Sequence, residues 1–171
     1  MIPQLGVALM TYVIRPENEE DREWILTALL GIQAHEHSLH NSRLPAEPRS
    51  AKRYLDILRK TLVENHGIIL VALSNDRPVG LIIGHVVDEP WPVETADSTV
   101  YAYISDIFIL PEHRGSGLAN LLFQAVAEHF RALPLQLKRL RVNVLAGNGI
   151  ACAAYEKAGF SPYEVMYERS L

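Results

Sequence analysis

The sequence predicts one α/β domain with the element order β-α-α-β-β-β-α-β-α-β. Three observations carry that prediction. Apolar runs rich in β-branched residues alternate with segments whose apolar residues recur at helical spacing. The polar stretch Ser74-Asn75-Asp76-Arg77-Pro78 joins two of the apolar runs as a hairpin. A strand, a glycine-containing loop and an amphipathic helix then follow one another from Ile104 to Phe130.

The chain has 171 residues, the length of one domain, and 49% of them are apolar, enough for a real core. We place the domain over residues 11–171 and read residues 1–10 as a leader. That opening, MIPQLGVALM, has no basic n-region and is interrupted by Pro3 and Gly6, so it does not read as a signal peptide. Met10 offers an alternative start. No apolar run approaches the roughly 20 residues of a membrane span. The formal charge of −4 has no basic block, which argues against nucleic-acid binding and permits a cationic substrate. The single cysteine, Cys152, rules out an intrachain disulfide and a thiolate metal cluster, and fits a cytoplasmic location.

Thr11 to Arg15 (TYVIR) reads as a short strand ended by Pro16. The acidic residues from Glu17 to Asp21 suit a helix start, and a helix follows to about His37. Trp24, Ile25, Leu29 and Leu30 form its inward face. His35, His37 and His40 invite a metal reading. Their spacing is wrong for H-E-x-x-H, and His35 and His37 diverge on a helix, so we assign no metal. A polar helix end suits them better. A proline-containing loop leads to a second amphipathic helix, Ala51 to Asn65, with Tyr54, Leu55, Leu58 and Leu62 on one face.

Gly67 to Leu73 and Val79 to Val87 are the hairpin strands. Gly80 and Gly84 lie on one side of the second, where another segment can pack closely. Asp88 to Thr99 is a polar loop, in which Trp91 is either a substrate wall or a packing residue. Val100 to Leu110 is a strand ended by Pro111. Leu118, Leu121, Leu122, Ala125, Val126 and Phe130 then mark a helix to about Ala132. Lys138 to Leu145 is a strand, Ile150 to Ala158 a short helix with Gly159 as its C-cap, and Tyr163 to Arg169 a final strand.

The chemically informative stretch is Arg114-Gly115-Ser116-Gly117-Leu118-Ala119. It lies between a strand and a helix N-terminus, where unpaired backbone N–H groups and the helix dipole favour an anion. Glycines let a phosphate approach the backbone, and Arg114 adds a charged donor. The plain alternative is a strand–helix turn. Two other phosphate loops fit less well. A P-loop needs a Lys after the second glycine, and a dinucleotide fingerprint needs a third small residue where Asn120 stands.

R-x-x-G-x-A from Arg114 to Ala119 resembles the [QR]-x-x-G-x-[GA] motif of the GCN5-related N-acetyltransferases. A second match follows downstream, from Asn148 through Ala151 and Tyr155-Glu156-Lys157 to Gly159-Phe160, and resembles the family's N-x-x-A-x-x-x-Y-E-K-x-G-F pattern. The resemblance implies a mixed, largely antiparallel sheet of about six to seven strands flanked by about four helices. It implies acetyl-CoA as co-substrate, with its pyrophosphate on Arg114, Gly115, Ser116, Gly117, Leu118 and Ala119. The strand end Ile107, Phe108, Ile109 would pair with the pantetheine arm. A gap between this strand and the one at Arg141 to Leu145 would take the thioester. A backbone N–H near Phe108 or Ile109 would face the carbonyl oxygen. The two-helix region would line the acceptor pocket.

Tyr155 is the candidate general acid, because a phenol stays protonated at neutral pH and can donate to a thiolate. It can also simply pack. Asn148 contacts the cofactor arm or caps the helix. Cys152 has no partner His in view, which argues against covalent catalysis. Several relatives carry Glu-Asp before the apolar strand end; here Ser105-Asp106 stands there. The Glu is absent, so Asp106 becomes the candidate base, with His85, Glu89, Tyr101, Tyr103 or water as substitutes. The expected activity is acetyl transfer to a primary amine of a small molecule by direct attack in a ternary complex. The alternatives are a protein lysine or N-terminal acetyltransferase, and a non-catalytic acyl-CoA-binding module. A homodimer is an expectation from relatives alone.

Overall fold

A computed structural model describes residues 11–171. The expected leader, residues 1–10, lies outside the described residues. The elements are β1 (Val13–Pro16), α1 (Arg22–Leu39), α2 (Pro48–Glu64), β2 (Ile68–Ser74), β3 (Arg77–Asp88), α3 (Ala96–Thr99), β4 (Val100–Ile109), α4 (Leu118–Arg131), β5 (Leu140–Val142) and α5 (Gly149–Lys157). They form a five-stranded sheet in sequence order. Every neighbouring pair is antiparallel except β4 and β5, which run parallel.

Both faces of the sheet are covered, which is why its central strands read as unbroken apolar runs rather than alternating ones. Leu70, Ile82 and Ile104 face α4 and pack with Leu122, Val126 and Phe130. Their neighbours Val71, Leu81 and Ile83 face α1 and α2, against Ile25, Leu29, Leu55 and Leu58. Gly80 and Gly84 do mark a close approach. A Cβ on Gly80 would lie 3.3 Å from Leu118, and one on Gly84 would lie 3.0 Å from the Phe130 ring. The entry to α1 is held by an Asn18–Asp21 capping box, and Arg15 grips the buried Asp21 through hydrogen bonds of 2.6 and 3.0 Å.

Among the described residues the sheet has five strands rather than six or seven. The strand expected over Tyr163–Arg169 is not formed; this segment is irregular, with Val165 65%, Met166 95% and Tyr167 92% exposed. Its neighbour would be β5, which is only three residues long and offers little edge to pair with. β5 is itself shorter than the expected Lys138–Leu145, because β4 diverges from it beyond Ile104. An additional one-turn helix, α3, stands where a plain loop was expected.

Candidate active site

Three features meet along β4. The first is the splay. Ala102, Tyr103 and Ile104 pair with Leu140, Arg141 and Val142, and the β4–β5 ladder ends there, five residues before β4 does. The second is a β-bulge. Ile83 pairs with Asp106 but the next residue, Gly84, pairs with Ile104, so Ser105 is the extra residue. The third follows from the bulge. Paired residues share a face of the sheet, so Ile104 lies with Gly84 on the α4 face and Asp106 lies with Ile83 on the α1/α2 face. Without the bulge, Asp106 would point at α4.

Backbone polarity changes with it. The Leu110 N–H donates to Val79 O of β3 at 2.9 Å. By alternation the Phe108 N–H also turns toward β3, while those of Ile107 and Ile109 turn toward the splay. Phe108 itself packs under α1, with its ring edge-on to Trp24. The register therefore turns the Ile109 amide, and not that of Phe108, toward the splay.

Asp106 is 7% exposed. The Tyr54 hydroxyl donates to its Oδ2 at 2.8 Å from α2. Burial pushes the Asp106 carboxyl above its usual range, the Tyr54 hydrogen bond and the neighbouring Ser105 oppose that, and the nearby Glu36 reinforces it. Beside it on the same face, Tyr103 stands opposite His85, with rings 5.5 Å apart. The buried Nδ1 of His85 has no hydrogen-bond partner among the described residues, and burial pushes that imidazole toward its neutral form. Tyr54 was legible in sequence only as part of an apolar helix face. The available signal was a phenol among leucines, whose hydroxyl needs a polar partner when it is turned inward.

Tyr155, on α5, stacks edge-on with Phe123 and Phe160 at 5.7 and 5.8 Å. Burial, with Cys152 nearby, pushes its phenol up to about 12, and Tyr103 and Asp106 act in the same direction. It is therefore a proton donor throughout the neutral range. Asn148 is the N-cap of α5, accepting from the Ala151 N–H at 3.2 Å. Gly159 closes the helix with φ of 89°.

The loop before α4 is open and pre-shaped. Gly115 and Gly117 have φ of 75° and 89°, and a Cβ on either would meet nothing within 4 Å. Gly117 is the N-cap of α4, with no side chain bonded to the helix end. The N–H groups of Leu118 and Ala119 open the helix, where no earlier carbonyl can take them. Ser116 bonds to His113 O at 2.7 Å and receives the Tyr12 hydroxyl at 2.9 Å, which ties the loop to the start of the sheet. Arg114 folds back, its Nε donating to Ile109 O at 3.0 Å. An uncapped helix start beneath two open glycines fits a diphosphate.

Farther along the same face of β4 lies a cavity of about 540 Å³ walled by Trp91, Tyr101 and Tyr163 and rimmed by Asp88, Glu89, Glu94 and Glu164. Arg141 lies between Tyr101 and Tyr163, 4.1 and 4.2 Å from their ring centres, and donates to Ser98 at 2.6 Å. Trp91 is a wall of this cavity, 63% exposed. Among the described residues no group of three His, Cys, Asp or Glu side chains is placed to hold a metal. Nor is any helix there long and apolar enough to cross a membrane.

A splayed parallel pair beside a glycine-opened helix start is the arrangement that the resemblance to the N-acetyltransferases implied. The acetyltransferase (GNAT) family model matches residues 32–160, and the chain belongs to that family, whose members use acetyl-CoA. Solved structures agree in fold. The BH1408 protein of Bacillus halodurans superposes with a TM-score of 0.78 at 21% identity, over 93% of this chain and 99% of that one. The aminoglycoside 6'-N-acetyltransferase AAC(6')-IG of Acinetobacter haemolyticus gives 0.66 at 21% identity, over 93% and 97%. A predicted acetyltransferase of Clostridium acetobutylicum, solved with acetyl-CoA, gives 0.69 at 16% identity, over 94% and 96%. No curated protein sequence matches the chain significantly.

Proposed function

We propose that this chain acetylates a primary amine on a small cationic molecule by direct attack in a ternary complex with acetyl-CoA, in the cytoplasm. The observation that carries the proposal is the buried Asp106 carboxyl two residues past the point where β4 leaves β5, with the Tyr155 phenol near enough to feel its charge. Acetyl-CoA supplies the acetyl group as a thioester, and its thiolate is the leaving group. The residues Arg114 to Ala119 hold the diphosphate through backbone N–H groups. Ile107 and Ile109 present amides to the arm and to the carbonyl oxygen as it gains charge. Asp106 takes the proton from the amine, and Tyr155 gives one to the departing sulfur.

Two observations support a small cationic acceptor. The acidic, aromatic-walled cavity continues the face of β4 that carries Asp106. Two of the structural neighbours above are acetyltransferases by name, one of them acting on aminoglycosides.

Tyr155→Phe tests the assignment against a non-catalytic acyl-CoA-binding module. The variant keeps both ring contacts and loses only the hydroxyl. The expected result is turnover reduced by roughly 100-fold or more with coenzyme A binding retained. Unchanged turnover would remove Tyr155 as the acid.

A further inference from the structure

The inference rests on the reading of Asp106 as the base. We propose that Tyr54 is a positioning residue for it: the phenol fixes Oδ2 across 52 residues of sequence, so that Oδ1 is the oxygen that accepts the amine proton. The geometry is not that of a packing residue. Its neighbours on the α2 face, Leu55 and Leu58, are 1% and 4% exposed, whereas Tyr54 is 40% exposed. What is placed inside is its hydroxyl, on the buried carboxylate.

The surroundings of Asp106 give that hydrogen bond its importance. Tyr54 faces it from α2, Glu36 acts on it from α1, Ser105 and Tyr103 lie beside it on β4, and Tyr155 lies near it from α5. His85 reaches the group from β3 through Tyr103. No Lys or Arg among the described residues forms an ion pair with Asp106; the nearby Glu36 carries Arg43 at 3.4 Å instead. The ionised form of Asp106 therefore depends on donated hydrogen bonds, chief among them the 2.8 Å bond from Tyr54. Burial and the Asp106 charge push the Tyr54 phenol far up, so it remains a donor across the whole working pH range.

The test is the pH dependence of kcat/KM for an accepted amine in the wild type, Tyr54→Phe and Asp106→Asn, with KM for acetyl-CoA and thermal melting measured in parallel. In Tyr54→Phe the acidic limb should move up by roughly one pH unit, activity should recover at high pH, and KM for acetyl-CoA should stay put. A purely structural tyrosine would lower the melting temperature without moving the limb. A superimposable limb in Tyr54→Phe, with Asp106→Asn inactive, overturns the positioning role and spares the base. An active Asp106→Asn overturns the base itself, and the role of Tyr54 with it.

Discussion

Ile104 is the last residue of β4 that pairs with β5, through Val142, and the residue after it is the bulge. The two ladders on either side of β4 thus change at one place. On one side a gap opens; on the other the side-chain phase reverses, bringing Asp106 to the α1/α2 face. Local chemistry along the rest of β4 is ordinary strand.

Gly84, opposite Ile104, should not tolerate a side chain. A Cβ there would meet Tyr103 O at 2.9 Å and the Phe130 ring at 3.0 Å, and neither backbone nor buried ring can yield cheaply. Gly84→Ala should cost about 1–3 kcal/mol in denaturant titration. Wild-type stability would show that the bulge is plastic.

Asp106 should be retained at the expense of stability. Its folded pKa lies above the unfolded value, so its contribution is fully present below about pH 4 and is lost as pH rises through the folded pKa. Asp106→Asn keeps an acceptor for Tyr54 and carries no charge. It should match the wild type near pH 3 and exceed it at pH 7–8, by about 1.4 kcal/mol for each pH unit between the unfolded and folded pKa values. Melting curves at the two pH values check the sign.

Asp21 shows the opposite linkage. The Arg15 hydrogen bonds hold its carboxyl below the usual range, so its stabilisation is present above about pH 4 and is lost as pH falls through the depressed pKa. Asp21→Asn should cost about 2 kcal/mol at pH 7, reduced from the fully buried case because Arg15 is partly exposed. The difference from wild type should shrink toward pH 2.

Gly117 should matter to the cofactor more than to the fold. Its φ of 89° suits glycine, yet a Cβ there would meet no atom within 4 Å. Gly117→Val should cost about 1–2 kcal/mol of strain and re-aim the first N–H groups of α4. Coenzyme A affinity by calorimetry should fall roughly tenfold or more, for that loss of binding free energy. Wild-type affinity would remove the loop from diphosphate binding.

Much of this was legible in the sequence because it is local. The strand, glycine loop and helix from Ile104 to Phe130 follow from period, Pro111 and the two glycines. Gly80 and Gly84 announced a close approach, and α4 makes it. What was hidden depends on pairing. One extra residue in β4 leaves no mark on composition, so the face of Asp106 could not be read, nor could its bond to Tyr54 from a distant helix. The strand expected at Tyr163 failed for a related reason: β-propensity was present, but β5 provides only three residues of edge. Arg141 holds Tyr163 by ring stacking instead.

The most direct measurement of acetyl transfer to a small cationic amine is thiol release from acetyl-CoA by the purified protein against polyamines, aminoglycosides, amino acids and lysine- or N-terminus-bearing peptides. Release stimulated by a small cationic amine, and lost in Asp106→Asn, is the predicted result. Release stimulated only by the peptides, or none with any amine, would contradict it.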